Sequence, residues 1–215
     1  GKGRLGQALA RQGCTAFGRD LFDLTRPDRM AALLDARQPA CVINCASYTA
    51  VDAAEQNEAA ARAINAEGAG ALASVCSALD IPLIHVSTDM VFDSASPANP
   101  LTEEVSPRPG SVYGLTKLEG EALGRAAGGR AVIVRVSWLF GDDTTSFVSK
   151  MLSLARTRDT LSIVTDEMGR PTPVDDLAAH LVKLAIVMTR AAPVPPVLHF
   201  GPTPAVSRSG RAQRI

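Results

Sequence analysis

The chain has 215 residues, enough for one domain or one domain with part of a second, and 46% are hydrophobic, enough for a sizeable buried core. Lysine plus arginine and aspartate plus glutamate each number 22, and the resulting formal charge of zero argues against a general electrostatic grip on nucleic acid. No apolar run reaches the ~18 residues of a membrane span and no signal-peptide pattern opens the chain, so no membrane partner is expected.

The first six residues, Gly1-Lys-Gly3-Arg4-Leu5-Gly6, fit G-x-G-x-x-G and run into a predicted helix over Leu5–Gln12. Glycines let such a turn approach a pyrophosphate, whose charge meets free amides at the helix N-terminus. An apolar strand is expected before a turn of this kind, and Gly1 opens directly on it. The short apolar stretch Cys14–Phe17 reads as a strand ending in Gly18-Arg19-Asp20. An arginine at this place accommodates a 2′-phosphate, so Arg19 points to NADP(H), with a solvated loop residue as the equal alternative.

Asp23-Leu24-Thr25 leads to Pro27, a good first-turn residue for a helix over Pro27–Ala36. Further strands are predicted at Ala40–Cys45, Pro82–Ser87, Ala131–Val136 and Leu161–Val164. Further helices are predicted at Asn57–Leu79, Ser111–Ala127, Ser146–Thr157 and Asp175–Thr189. Continuous apolar strands alternating with helices imply a doubly wound parallel α/β sheet, Rossmann-like, with helices on both faces. Residues 1–145 are expected to form the dinucleotide-binding domain. Residues 146–215 are expected to return to the sheet and add a small, incomplete C-terminal substrate lobe, because the polar, arginine-rich tail Ser207–Ile215 has no evident closing element.

Cys14, Cys41, Cys45 and Cys76 make no C-x-x-C pair and read as reduced, buried thiols of a cytoplasmic protein; no metal-ligand cluster is visible. His85, His180 and His199 share no spacing and read as structural.

The most informative segment is Ser111-Val-Tyr113-Gly-Leu-Thr-Lys117. Tyrosine and lysine at i and i+4 share a helix face. An ammonium beside a phenol favours the phenolate and brings its pKa down from near ~10 toward useful proton transfer. Tyr113 would then protonate a carbonyl oxygen while Lys117 holds the nicotinamide ribose. Thr88, at the carboxyl end of a buried strand, would face the ligand crevice of such a sheet and donate to the same oxygen.

Five blocks in order carry a family resemblance: Val42–Glu55 (VINCASYTAVDAAE), His85–Asp93 (HVSTDMVFD), Val112–Glu121 (VYGLTKLEGE), Arg135–Gly141 (RVSWLFG), and Asp166–Thr172 (DEMGRPT) with Asp176-Leu-Ala. The sequence resembles the dTDP-4-dehydrorhamnose reductase family of extended short-chain dehydrogenases/reductases. The resemblance implies reduction of dTDP-4-dehydro-L-rhamnose by NADPH, with NADH as the alternative cofactor. It implies Thr88, Tyr113 and Lys117 as the catalytic trio, and Gly3, Arg4 and Leu5 along the cofactor phosphates. It also implies Asp23 and Leu24 at the adenine side, and Ala46, Ser47 and Thr49 along the nicotinamide half. Thr88 and Asp89 would touch the sugar, and Trp138, by chemistry alone a core aromatic, would pack near the sugar nucleotide. Departures are Met90 in place of the family's tyrosine, a glycine turn one residue shorter, and a largely absent C-terminal part. A different keto-sugar nucleotide and a non-catalytic NADP-binding regulatory subunit stand as alternatives, and a homodimer is one option for assembly.

Overall fold

The computed structural model describes residues 1–92, 100–141 and 146–215. Its elements run α1 (Arg4–Arg11), α2 (Pro27–Arg37), β1 (Val42–Asn44), α3 (Val51–Ala54), α4 (Glu58–Arg62), a π-helical stretch (Ala63–Gly68), α5 (Ala69–Ala78) and β2 (Leu83–Thr88). A 3-10 turn (Asp89–Val91), α6 (Val112–Ala126), β3 (Ala131–Val136), β4 (Leu139–Phe140) and α7 (Phe147–Ala155) follow. The chain continues through β5 (Met168–Gly169), β6 (Thr172–Pro173), α8 (Val174–Thr189), β7 (Val197–Phe200), β8 (Val206–Ser207) and α9 (Arg208–Ala212).

Strands β1, β2, β3 and β7 form one sheet in that order, every pair parallel. Side chains alternate along a strand, so each face of the sheet needs its own cover. Ile84, Val132, Val134 and Val136 pack with Leu5, Ala8 and Leu9 of α1 and Val174, Leu177, Ala178 and Leu181 of α8. On the opposite face, Leu83 joins Leu24, Met30, Leu34, Leu72, Ala73 and Cys76. Helices cover both faces, as a doubly wound α/β fold requires. Among the described residues no helix is long and apolar enough to cross a membrane.

Local chemistry explains the helix starts. Ser111, Ser146 and Ser207 each stand in extended conformation before α6, α7 and α9 and accept from the third amide of the helix, at 3.1, 3.2 and 2.9 Å. Pro27 opens α2.

Three expectations need correction. The stretch 14–17 is not a strand, because no neighbouring strand among the described residues supplies a ladder. The run Leu161–Val164 is not one either: Leu161 and Ile163 are half-buried while Val164 is exposed, and among the described residues no ladder partner lies alongside. The sheet is completed instead by β7, whose four residues lie between a proline-rich approach and Gly201. The predicted helix Asn57–Leu79 is α4, a π-helical stretch and α5 in succession, because the widened turn directs the buried Asn65 toward the loop after β1. The expected domain boundary at 145 and Asp93 of the second block lie outside the described residues.

Candidate active site

The carboxyl ends of β1 and β2 and the first turn of α6 bring four polar side chains together. The Tyr113 phenol is half-buried and lies beside the side chains of Thr88, Ser47 and Asp89. Thr88 Oγ1 accepts from the Met90 amide and donates to Asp89 Oδ1, both at 3.2 Å. Helix α6 reaches this turn because Gly114 has no side chain: a Cβ there would lie 2.1 Å from the Met90 carbonyl oxygen. Ser47 is fixed from behind, since its hydroxyl donates to Asn65 Oδ1 at 2.9 Å, which also accepts the Tyr48 amide at 2.8 Å. The Asn65 amide in turn donates to the Tyr48 carbonyl and to Thr116 Oγ1 on α6, each at 3.2 Å.

Electrostatics at the mouth favour protonated acids. Burial pushes the Tyr113 phenol above its ordinary value, the neighbouring hydroxyls of Thr88 and Ser47 oppose the rise, and Asp89 adds to it. Burial also pushes the Asp89 carboxyl up to about 6, against the Thr88 bond and the Arg208 charge.

Lys117, one turn below Tyr113, is 1% exposed. Its Nζ donates to the Val86 carbonyl at 2.8 Å and lies 3.2 Å from His85 Nε2. The expectation that an ammonium lowers the phenol of Tyr113 is not met in this arrangement: the lysine is engaged with β2, and burial dominates the phenol. Burial likewise brings the Lys117 ammonium down to about 8, with Glu121 and Cys45 pulling it up. One further turn along, Glu121 is 0% exposed and holds Arg135 of β3 through both carboxylate oxygens, at 2.7 to 3.2 Å, while Ser87 donates to it at 2.6 Å.

The glycine turn forms the second part of the site. Gly3 caps α1, whose first-turn amides lack helical partners, and a Cβ on Gly3 would meet nothing within 4 Å. Gly6 lets the turn close on Gly1, whose Cα a Cβ would approach to 3.2 Å. This open cradle of amides fits a pyrophosphate. Leu5 contributes its backbone only, since its side chain belongs to the core under the sheet. Leu24, expected beside the adenine, is likewise a core residue, packed against the backbone of Gly68. Arg19 is 73% exposed and pairs at 3.2 Å with Asp23, whose other oxygen accepts the Thr25 amide and hydroxyl at 2.9 and 2.8 Å. These bonds hold the Asp23 carboxyl below its ordinary value. Ala46 and Thr49 are exposed on the loop after β1.

The third part is aromatic and cationic. Trp138 follows β3 with φ of 45°, and its ring lies flat on Gly169, where a Cβ would come within 2.4 Å of the indole. The Arg208 guanidinium covers the ring at 4.8 Å from its centroid, and its charge also reaches Asp89. Arg211 sits 4.7 Å from Phe140 and 5.2 Å from Phe147.

The sequence and the fold that carry this arrangement are matched by known proteins. The sequence profile described as the RmlD substrate binding domain matches residues 1–215. A dTDP-4-dehydrorhamnose reductase of Mycobacterium tuberculosis H37Rv is 40% identical over 99% of this chain and 71% of its own. The chain belongs to this family. A second dTDP-4-dehydrorhamnose reductase, from Sinorhizobium fredii, is 41% identical over 79% of the chain, and the match spans 57% of that relative's length. Among solved structures, the Bacillus anthracis dTDP-4-dehydrorhamnose reductase in complex with NADP superposes with a TM-score of 0.90 at 31% identity, covering 99% of this chain and 75% of the other.

Several residues that order this family member's site escape a reading of the sequence alone. Asn65 sits in an Ala-rich helical run, where one asparagine looks like a solvated face, yet it is 1% exposed. His85, expected to be structural, contacts Lys117 directly. Glu121 and Arg208 look like ordinary surface charges. The available signal was spacing: Tyr113, Lys117 and Glu121 repeat every four residues on one helix face.

Proposed function

We propose that the chain binds NADP(H) and reduces the 4-keto group of a dTDP-linked deoxysugar, dTDP-4-dehydro-L-rhamnose, to the alcohol. The carrying observation is the convergence of the Tyr113 phenol with the Thr88 and Ser47 hydroxyls at the carboxyl edge of a parallel sheet. The resemblance to reductases of that named activity supports it.

In this reading the amides of Gly3, Arg4 and Leu5 hold the pyrophosphate, Arg19 takes the 2′-phosphate, and Lys117 lines the nicotinamide half with Ala46, Ser47 and Thr49 of the loop after β1. When bound, the cofactor supplies the hydride that reduces the carbonyl carbon. Tyr113 gives its phenolic proton to the carbonyl oxygen, and burial keeps that proton in place until it is needed. Thr88 orients the oxygen by a hydrogen bond, Asp89 meets a sugar hydroxyl, and Trp138 provides a face for the sugar nucleotide. Residues 1–145 thus form the cofactor side and 146–215, through Arg208, close the sugar side. Reduced thiols suit a cytoplasmic setting, with a homodimer as the assembly to test.

The test mixes protein, NADPH and the keto-sugar nucleotide and follows absorbance of the reduced cofactor. Tyr113→Phe should retain NADPH binding and lower the rate by about 10²–10⁴-fold; unchanged turnover in that variant would remove Tyr113 from the chemistry. Met90, which brings a thioether where the family has a phenol, favours a second reading with a related sugar. Calorimetry against several dTDP- and UDP-linked sugars separates the two.

A further inference from the structure

Asn44, His85 and Lys117 form a buried chain of hydrogen bonds whose proton count is fixed by its geometry. Asn44 ends β1 directly beside His85 of β2. Its amide orientation is set by the Ala46 N–H, which donates to Asn44 Oδ1 at 3.0 Å. Nδ2 is therefore the atom facing His85 Nδ1 at 3.0 Å, and because it only donates, Nδ1 must accept. A neutral imidazole that accepts at Nδ1 carries its hydrogen on Nε2. Nε2 faces Lys117 Nζ at 3.2 Å. An ammonium has three N–H groups and no lone pair, so it would set donor against donor. A neutral amine accepts the Nε2 hydrogen with its lone pair and still donates to the Val86 carbonyl at 2.8 Å.

We propose that Asn44 and His85 are positioning residues that lock the imidazole tautomer and thereby weaken the hold of Lys117 on its proton, so that the cofactor-free protein reaches the neutral amine at a lower pH than a free lysine does. Conversion to the ammonium takes one proton from solvent and requires Lys117 to leave His85 or Asn44 to turn over. The groups facing Lys117 agree with this. On its own helix are Tyr113 and Glu121, the latter already neutralised by Arg135. From β2 comes His85, and from just after β1 comes Cys45. Burial holds the imidazole of His85 well below its ordinary value and the Cys45 thiol up at about 12, so neither supplies a charge at neutral pH. The consequence for catalysis rests on the reductase reading: once Lys117 has given up its proton no ammonium stands beside Tyr113, which then remains a full phenol able to give a proton.

The experiment uses the cofactor-free chain, so its outcome is independent of whether the protein reduces anything. Histidine ring ¹⁵N–¹H correlation spectra, with His85 assigned by its loss in His85→Gln, should show hydrogen on Nε2 and a bare Nδ1 at pH 9 to 10, where Lys117 is the neutral amine. The Cε resonance of Lys117 in ¹³C-lysine-labelled protein should titrate with a midpoint near 8. Asn44→Ala releases the imidazole to present a lone pair to Lys117, and the midpoint should rise by at least about one pH unit, a tenfold fall in the acidity constant. Hydrogen on Nδ1 of the unaltered protein overturns the proposal, and so does a folded Asn44→Ala protein whose lysine midpoint stays put. Should that variant fail to fold, the tautomer of the unaltered protein still decides.

Discussion

Arg135 and Glu121 are the most buried opposite charges in the described residues, at 6% and 1% side-chain exposure, and each has further partners. Glu121 accepts from Ser87, and Arg135 lies 3.4 Å from His199 Nε2 and 5.2 Å from the Phe92 ring centroid. Removing one member strands the other in a medium that cannot solvate it. Glu121→Leu should therefore destabilise the protein by about 3–5 kcal/mol in urea unfolding, while the double replacement Glu121→Leu with Arg135→Met should recover most of that loss. A double variant no more stable than the single one would show that the pair contributes more than its desolvation takes away. Residues of this kind divide sharply in how readable they are. Tyr113 and Lys117 announce themselves because four-residue spacing is a local property. Asn65 does not, because the groups it satisfies lie 17 and 51 positions away, at Tyr48 and Thr116, and only the fold brings them together.

At the scale of elements, the site depends on how closely α6 approaches its neighbours. Two of its glycines are contact points: a Cβ on Gly114 would fall 2.1 Å from the Met90 carbonyl oxygen, and one on Gly120 2.0 Å from that of Asn65. A third, Gly124, would meet only Ile133 Cδ1 at 4.0 Å. The same substitution should thus have opposite consequences along one helix. Gly124→Ala should stabilise by up to about 1 kcal/mol through helix propensity alone. Gly114→Ala must push the start of α6 off the 89–91 turn, destabilising by about 1–3 kcal/mol and moving Tyr113 from Thr88. A misplacement near 1 Å should lower turnover by roughly 10²-fold. Equal melting temperatures and rates for the two variants would refute this account of the helix. Element reading from sequence succeeded where apolar runs were long and paired, as at β2 and β3. It failed at Leu161–Val164, an apolar run without a ladder partner, and at β7, where a histidine interrupts four residues hemmed by proline and glycine. Strand identity is a property of neighbours, and a single run of residues does not carry it.

For the whole molecule, the buried lysine ties global stability to pH. Lys117 titrates near 8 when folded and near its ordinary 10.5 when unfolded. Between those values the unfolded chain binds a proton that the folded protein does not, so stability from this group rises with pH across the window. Below about 8 both states are protonated, and the fold carries the full penalty of a buried ammonium against the donor on His85. The gain from pH 8 to 10.5 is on the order of 3 kcal/mol. Lys117→Met keeps the length of the side chain and removes the titration. It also leaves the Val86 carbonyl and the His85 N–H without their partner, a loss that does not vary with pH in this range. Urea unfolding of both proteins at pH 7 and pH 10 should then show the difference between them shifting in favour of the unaltered chain at the higher pH. A constant difference at the two pH values would mean that Lys117 has the same affinity for protons folded and unfolded. That would deny that burial beside His85 weakens the hold of Lys117 on its proton.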